Sequence, residues 1–258
     1  MTNVLAISLA SMQQEMSRLD QISANMANAS TPAYKRQVAM SAPVVDSGFA
    51  TAMQAQRPSA AGTPALPATS VPAANWVQSD DSPGTLKATN QPLDVALTGH
   101  GYFEVETKQG LAYTRQGNWQ LDARGRLVTA RGDAVMGTGG EIVLSSLPVR
   151  IDAKGQVFAG ADDANASPVG QLKVVRFDDP LRLSNVGSGL VTSPDQPVQL
   201  SDSDIEIRQG YLENSNVNSA REMVQLIHSM RHFESMQKVA TAYDDMLGGA
   251  IRKLGDLS

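Results

Sequence analysis

The sequence predicts an α+β protein in which N- and C-terminal helices form a coiled-coil-like α unit and a central antiparallel all-β domain lies between them. Three observations predict it. Apolar residues recur at three- and four-residue spacing near both chain ends, the signature of helices that bury one face. Short apolar runs broken by glycine turns fill residues 93–210, the signature of strands. A proline-rich stretch separates the first helix from those strands.

The first helix is predicted over residues 3–29, within a terminal helical segment of 1–31. Leu5, Leu9, Met12, Met16, Leu19 and Met26 follow an a/d heptad seam, interrupted where Ser23 takes a d position. The opposite face carries Ser11, Gln14, Arg18 and Gln21. The string ISANMANASTPAYKR, residues 22–36, is a stop signal. Asn28, Ser30 and Thr31 turn short polar side chains onto the backbone, and Pro32 has no N–H to continue the ladder. Tyr34, Lys35 and Arg36 therefore begin extended chain.

Residues 32–92 read as an extended Pro/Ala-rich connector, because seven of the thirteen prolines fall within 43–92. The β domain follows over 93–210. Its hairpins are punctuated by Lys-Gln-Gly, Ala-Arg-Gly, Arg-Gly-Asp and Ala-Lys-Gly turns, and short strands at this spacing predict a sandwich or barrel-like arrangement. Gly99 and Gly101 in TGHGYF lack the third glycine and following helix of a phosphate cradle, so they mark a tight bend. Arg131-Gly132-Asp133 is explained by a turn between strands.

The last segment, 211–258, holds a helix predicted over 219–254. Leu226, Phe233, Ala240, Leu247 and Leu254 recur every seven residues, with Met223, Met230, Met236, Tyr243 and Ile251 in neighbouring rows. Ser219 and Glu222 have capping-box spacing, and Asn218 is an alternative cap. Gln237 and Asp244 interrupt this seam, and Gly248-Gly249 is its expected weak point. Interrupted seams of Met, Ala and Leu hold one chain only modestly. They gain more when several copies bury the helix faces together. The candidate assembly interface is therefore Leu5, Leu9, Met12, Met16, Leu19 and Met26 with Met223, Leu226, Met230, Phe233, Ala240, Leu247, Ile251 and Leu254.

Composition narrows the function. With no cysteine, disulfides, thiolate catalysis and Cys-based zinc sites are excluded. Of the three histidines, His228 and His232 share a helix face but lack the adjoining acid of a metalloprotease helix, so no metal or cofactor is expected. The net charge of −5 falls on residues 91–207, which carry ten basic and fifteen acidic side chains. No basic face exists to neutralise nucleic-acid phosphates. No stretch approaches a bilayer span, and the N-terminus lacks the basic start of a secretory signal. Asp80-Asp81, Asp162-Asp163 and Asp178-Asp179 raise carboxylate catalysis on a glycan, but they adjoin loop residues, and no serine stands in Gly-x-Ser-x-Gly.

Three strings also resemble a known family, the bacterial flagellar rod and hook proteins. ANMANASTPAYKR is similar to their N-terminal motif, here Asn25, Ala27, Asn28, Ser30, Thr31, Tyr34 and Lys35. QPLDVALTGHGYFEV and YTRQGNWQLDARGRLVTARGDAVMG resemble the start of their β domain. QGYLENSNVNSAREM and the helix after it resemble their C-terminal signature, here Asn214, Ser215, Asn216, Val217 and Asn218. Length and C-terminal segment look most like a rod protein, a proximal rod subunit first. Ala24, Met26 and Ala33 depart from the family pattern, which has Asn, Leu and Gly there. An alanine kept at positive φ in place of that glycine should cost ~1 kcal/mol or more.

The resemblance implies a structural subunit, not an enzyme, that polymerises helically through its terminal helices into the shaft transmitting torque across the periplasm. It implies copies of itself, other rod proteins and the flagellar export apparatus as partners, with export lacking a cleaved signal. A distal rod or hook-type subunit is the alternative. A peptidoglycan-cleaving enzyme of the assembly and a free β-domain binding module are two further readings. Only two tryptophans could stack on sugar, and a monomeric module has little use for paired helices.

Overall fold

The computed structural model describes residues 2–41, 75–144, 148–160 and 167–255. The chain forms two compact units. One comprises, among described residues, the chain up to residue 22, residues 37–41 and 75–78, and the chain from 224 onward; the other comprises 23–36 and 79–223. The middle of the expected connector, 42–74, lies outside the described residues.

The first unit holds most of two helices, α1 (Thr2–Ala27) and α2 (Ser219–Gly255), and the strand Gln37–Ser41 paired with Asn75–Ser79. The helices are in contact, and His232 Nδ1 lies 3.2 Å from Glu15 Oε1. Along α1 the covered positions include Met12, Glu15, Leu19, Ile22 and Met26, a three-four spacing rotated from the seam read in the sequence, with Ser11, Gln21, Ala24 and Asn25 covered beside them. Ile22 is buried and Ser23 exposed, because covering an isoleucine gains what covering a serine does not. Leu9 and Met16 consequently stay 55 % exposed. On α2, Leu226, Phe233 and Ala240 are half-buried beside Ser229, Met236 and Tyr243, whereas Met223 and Met230 are 53 and 50 % exposed. The side chains of Leu5, Leu247, Ile251 and Leu254 lie outside the described set. The helix passes through Gly248-Gly249 without a break.

The second unit is antiparallel β. Its main sheet runs, edge to edge, through Ser184–Gly187, Leu190–Thr192, Gly110–Thr114, Tyr102–Thr107, Ala134–Gly137, Leu127–Val128 and Gln120–Leu121. Strand alternation turns Phe103 and Val105 into the core, where Phe103 meets the Trp119 ring edge-on at 4.8 Å. The opposite sheet face gathers Tyr113, Val175 and Phe177. Glu104 is buried there, paired with Lys173 at 2.7 Å. Three described strands lie in the span assigned to the connector: Gln37–Ser41, Asn75–Ser79, and Leu86–Ala88, which pairs with Tyr211–Glu213. The proline count hid them, because all three fall in proline-free stretches of that span.

Three turns share one design. In Asp122-Ala-Arg-Gly-Arg126 the Asp122 Oδ1 accepts the amides of Arg124 and Arg126, both at 2.8 Å. Asp152 does the same for Lys154 and Gln156 at 3.0 and 2.8 Å. Thr129 Oγ1 accepts the amides of Arg131 and Asp133. The glycines at 125, 132 and 155 have φ of 76°, 88° and 79°, a region open to glycine and strained for other residues. The Arg-Gly-Asp tripeptide is thus one of three equivalent hairpin turns.

Candidate functional site

Within the β unit, residues from both chain ends meet around two buried carboxylates, Glu213 and Glu222. The chain arrives there because α1 stops where its sequence directs. Asn28 donates from its backbone N and its Nδ2 to the Ala24 carbonyl at 3.1 and 2.8 Å, closing the last turn. Thr31 Oγ1 then bonds Asn28 Oδ1, and Pro32 prevents further helix. Ala33 reverses the chain with φ of 55°, and its amide donates to the Glu213 carbonyl at 2.8 Å. The departure from the family glycine therefore sits where glycine is easiest, in left-handed backbone. The alanine is buried, so its methyl group recovers part of the cost.

Beyond that turn, Lys35 and Arg36 reach the two carboxylates. Lys35 Nζ donates to Glu213 Oε1 at 2.7 Å and to the Ser82 carbonyl at 2.9 Å. Glu213 Oε1 also accepts the Gly84 amide, and its Oε2 accepts Arg115 Nε at 2.9 Å. The rest of the Arg115 guanidinium is spent on the carbonyls of Leu97, Gly99 and Gly101. Arg36 Nε donates to Glu222 Oε1 at 2.6 Å, and Asn25 Nδ2 donates to Glu222 Oε2 at 3.4 Å. The Tyr34 hydroxyl donates to Asn25 Oδ1 at 3.3 Å. Asn216 completes the stitching: its Oδ1 accepts the Arg36 amide, and its Nδ2 donates to the carbonyls of Asp80 and Ser82.

Burial pushes the Glu213 carboxyl up, but the Arg115 charge, the Lys35 ammonium and the Gly84 amide outweigh it and hold the group below the usual carboxylate range. Burial lowers Lys35, and Glu213 only partly restores it, because that carboxylate is shared with Arg115. One anion serving two cations is itself strongly held, while the second cation is the less favoured member. Burial, aided by the Glu222 charge, raises Tyr34, so it stays a neutral donor. Burial likewise raises Asp81, which accepts the Tyr102 hydroxyl at 3.3 Å. Asp81, Tyr102 and Lys35 line a cleft of about 310 Å³ with His100, Arg176 and Phe177.

Of the motif residues, Asn25, Tyr34, Lys35 and Asn216 converge in this cluster, whereas Asn28 and Thr31 shape the turn. Asn214 bonds Thr85, and Ser215 Oγ accepts the Val217 amide. Ala27 and Ser30 are exposed. Asn218, not Ser219, caps α2, its Oδ1 accepting the Arg221 amide at 3.0 Å. Glu222 cannot serve a capping box because Arg36 and Asn25 hold its carboxylate. Arg36, Arg115, Glu213 and Glu222 are the members that sequence reasoning missed. The available signal was a charge inside an apolar pattern: Arg115 follows a strand, and Glu213 ends one.

The arrangement is chemically a clamp. Its carboxylates are bonded to cations and amides rather than presented to a substrate, and Asp178 and Asp179 are exposed on a loop. Asp162 and Asp163 lie outside the described residues. Among the described residues, no group of three or more His, Cys, Asp and Glu side chains is placed to hold a metal, and no helix is long and apolar enough to cross a membrane.

Comparison with known proteins gives matches within the β unit, across its last strands and the C-terminal helix, and along most of the chain. Residues 208–252 match the family described as flagellar basal body rod FlgEFG protein C-terminal, and residues 96–159 match flagellar hook protein FlgE/F/G D1 domain. The chain is 31 % identical over 260 residues to the flagellar basal-body rod protein FlgF of Escherichia coli, covering 97 % of each chain. It is 33 % identical to FlgF of Salmonella typhimurium, again covering 97 % of each. It is 31 % identical to the flagellar basal-body rod protein FlgG of Buchnera aphidicola, covering 94 % of this chain and 96 % of that one.

Proposed function

The chain belongs to the flagellar basal-body rod protein family, a structural and non-enzymatic family, and we propose that it is a proximal-rod subunit polymerising helically through its terminal helices. In this reading the assembled helices form the wall of a shaft that carries torque across the periplasm. The subunit reaches that place through the flagellar export apparatus without a cleaved signal, and it packs against its own copies and other rod proteins. The buried clamp ties the last turn of α1 and the first turn of α2 into the β unit.

One observation carries the reading. Both terminal helices keep large apolar side chains in water at heptad spacing, Leu9 and Met16 on α1 and Met223 and Met230 on α2. A single exposed leucine is ordinary, but matched rows on two helices form a surface that gains by being covered. A distal or hook-type position is the second reading, favoured by relatives under two rod-protein names at similar identity and by a matching domain described as a hook-protein domain.

The test is a double substitution, Met16→Asp with Met230→Asp. Both positions are exposed in the single chain, so monomer stability should change by less than about 0.5 kcal/mol. Motility and recovery of the subunit in basal bodies should be lost, since a buried unpaired carboxylate is costly in an assembled interface. Wild-type incorporation of the double variant would refute assembly through these faces.

A further inference from the structure

The division between the two compact units does not fall at the helix ends. The last turn of α1, residues 23–27, and the first turn of α2, residues 219–223, belong to the β unit. We propose that these two turns are preformed helix nuclei, folded as part of the β unit whatever the state of the remaining helix, from which α1 and α2 propagate during assembly. The folding half stands on this chain alone; the use in assembly rests on the rod reading.

The two turns differ from the helix bodies in what holds them. Asn25 is 1 % exposed and Glu222 is fully buried, and each is bonded by side chains from outside its own helix turn. Asn25 receives Tyr34, Glu222 receives Arg36 and Asn25, and Ala33 and Asn216 lash the intervening backbone to Glu213 and Tyr34. Each turn also has its own terminator, Asn28 for α1 and Asn218 for α2. Further along, the helices rely on half-covered faces. Val239 and Met246 join the exposed residues already named, with Met246 at 70 %.

The consequence concerns initiation. Starting a helix fixes about six dihedral angles for one hydrogen bond, a step disfavoured by a factor on the order of 10⁻³. A turn already fixed in helical geometry removes that step, leaving propagation at one bond per residue. α1 would then grow from its C-terminal end backward, and α2 from its N-terminal end forward. Both start at the clamp.

Hydrogen exchange on the full-length monomer tests this, comparing the wild type with a Ser17→Pro, Ser235→Pro double variant. Both serines are exposed, and proline there interrupts each helix body without touching the clamp. Peptides spanning 23–36 and 213–223 should keep their exchange rates within roughly twofold between the two proteins, and in both proteins they should exchange at least about tenfold more slowly than those spanning 8–16 and 236–245. Loss of protection in the clamp peptides together with the helix bodies would overturn the proposal. In a second arm, Asn218→Ala and Glu222→Gln should each speed exchange in 219–223 by about tenfold or more while 102–107 stays protected. Unchanged protection there would also overturn it. Neither arm involves polymerisation: absence of the chain from rods would defeat the rod reading alone.

Discussion

Glu213 is the residue on which the clamp turns. It sits 3 % exposed between Lys35 and Arg115, and substituting Gln removes the one carboxylate that both cations bond directly, leaving Asp81 as the remaining nearby anion. Glu213→Gln should cost about 3–5 kcal/mol in denaturant unfolding, the range for breaking a buried pair from one side. Lys35→Met should cost less, about 1–3 kcal/mol, since Arg115 and the Gly84 amide still serve the carboxylate. The pH dependence follows from the sign of the shift. The folded carboxyl is held below its unfolded value, so its contribution is complete above the ordinary carboxylate range and is lost as pH falls through the lowered folded value. Stability of the wild type should decline on that acid side, and the Gln variant should show a flatter curve there. Ala33 gives a second check. Ala33→Gly relieves left-handed strain but loses a buried methyl and adds unfolded-state freedom, so it should shift stability by less than about 1 kcal/mol. Ala33→Val, branched at positive φ in a buried site, should cost more than about 2 kcal/mol.

At the scale of elements, the clamp predicts where the chain can be cut. A fragment spanning 91–210 lacks Leu86–Ala88, its partner strand Tyr211–Glu213 and the carboxylate that neutralises Arg115. It should show no cooperative thermal transition, whereas the 79–223 segment supplied with a 23–36 peptide should regain one; a sharp transition of the shorter fragment alone would contradict the clamp. Both helices were legible in the sequence because their patterns are long and local: α1 and α2 end within two residues of their expected limits. The cap string of α1 acts as it reads. Less legible was the face each helix presents, since Ile22 and Ser23 are adjacent and only tertiary packing decides between them. The strand Leu86–Ala88 was hidden for another reason. Its pairing partner is more than a hundred residues away, and three residues carry no periodicity of their own. The clamp was half visible: its motif residues came from family resemblance, but nothing in a linear string joins Arg36 to Glu222 or Arg115 to Glu213.

For the whole molecule, the β unit buries its core while the terminal helices leave apolar rows exposed, and in the proposed assembly neighbouring subunits cover those rows. Chain-end helices that present such rows are a general means of building an open helical polymer, because a heterologous contact that does not close repeats indefinitely. The net charge of the chain falls on its middle, residues 91–207, and like-signed charge there opposes non-specific association of single chains. The most direct test is electron cryomicroscopy of intact basal bodies with this chain traced. The account predicts α1 and α2 in the rod wall, with Met16 and Met230 buried against adjacent subunits and the Lys35–Glu213–Arg115 cluster intact. Density showing the terminal helices exposed and uncontacted, or no density for this chain in the rod, would contradict it.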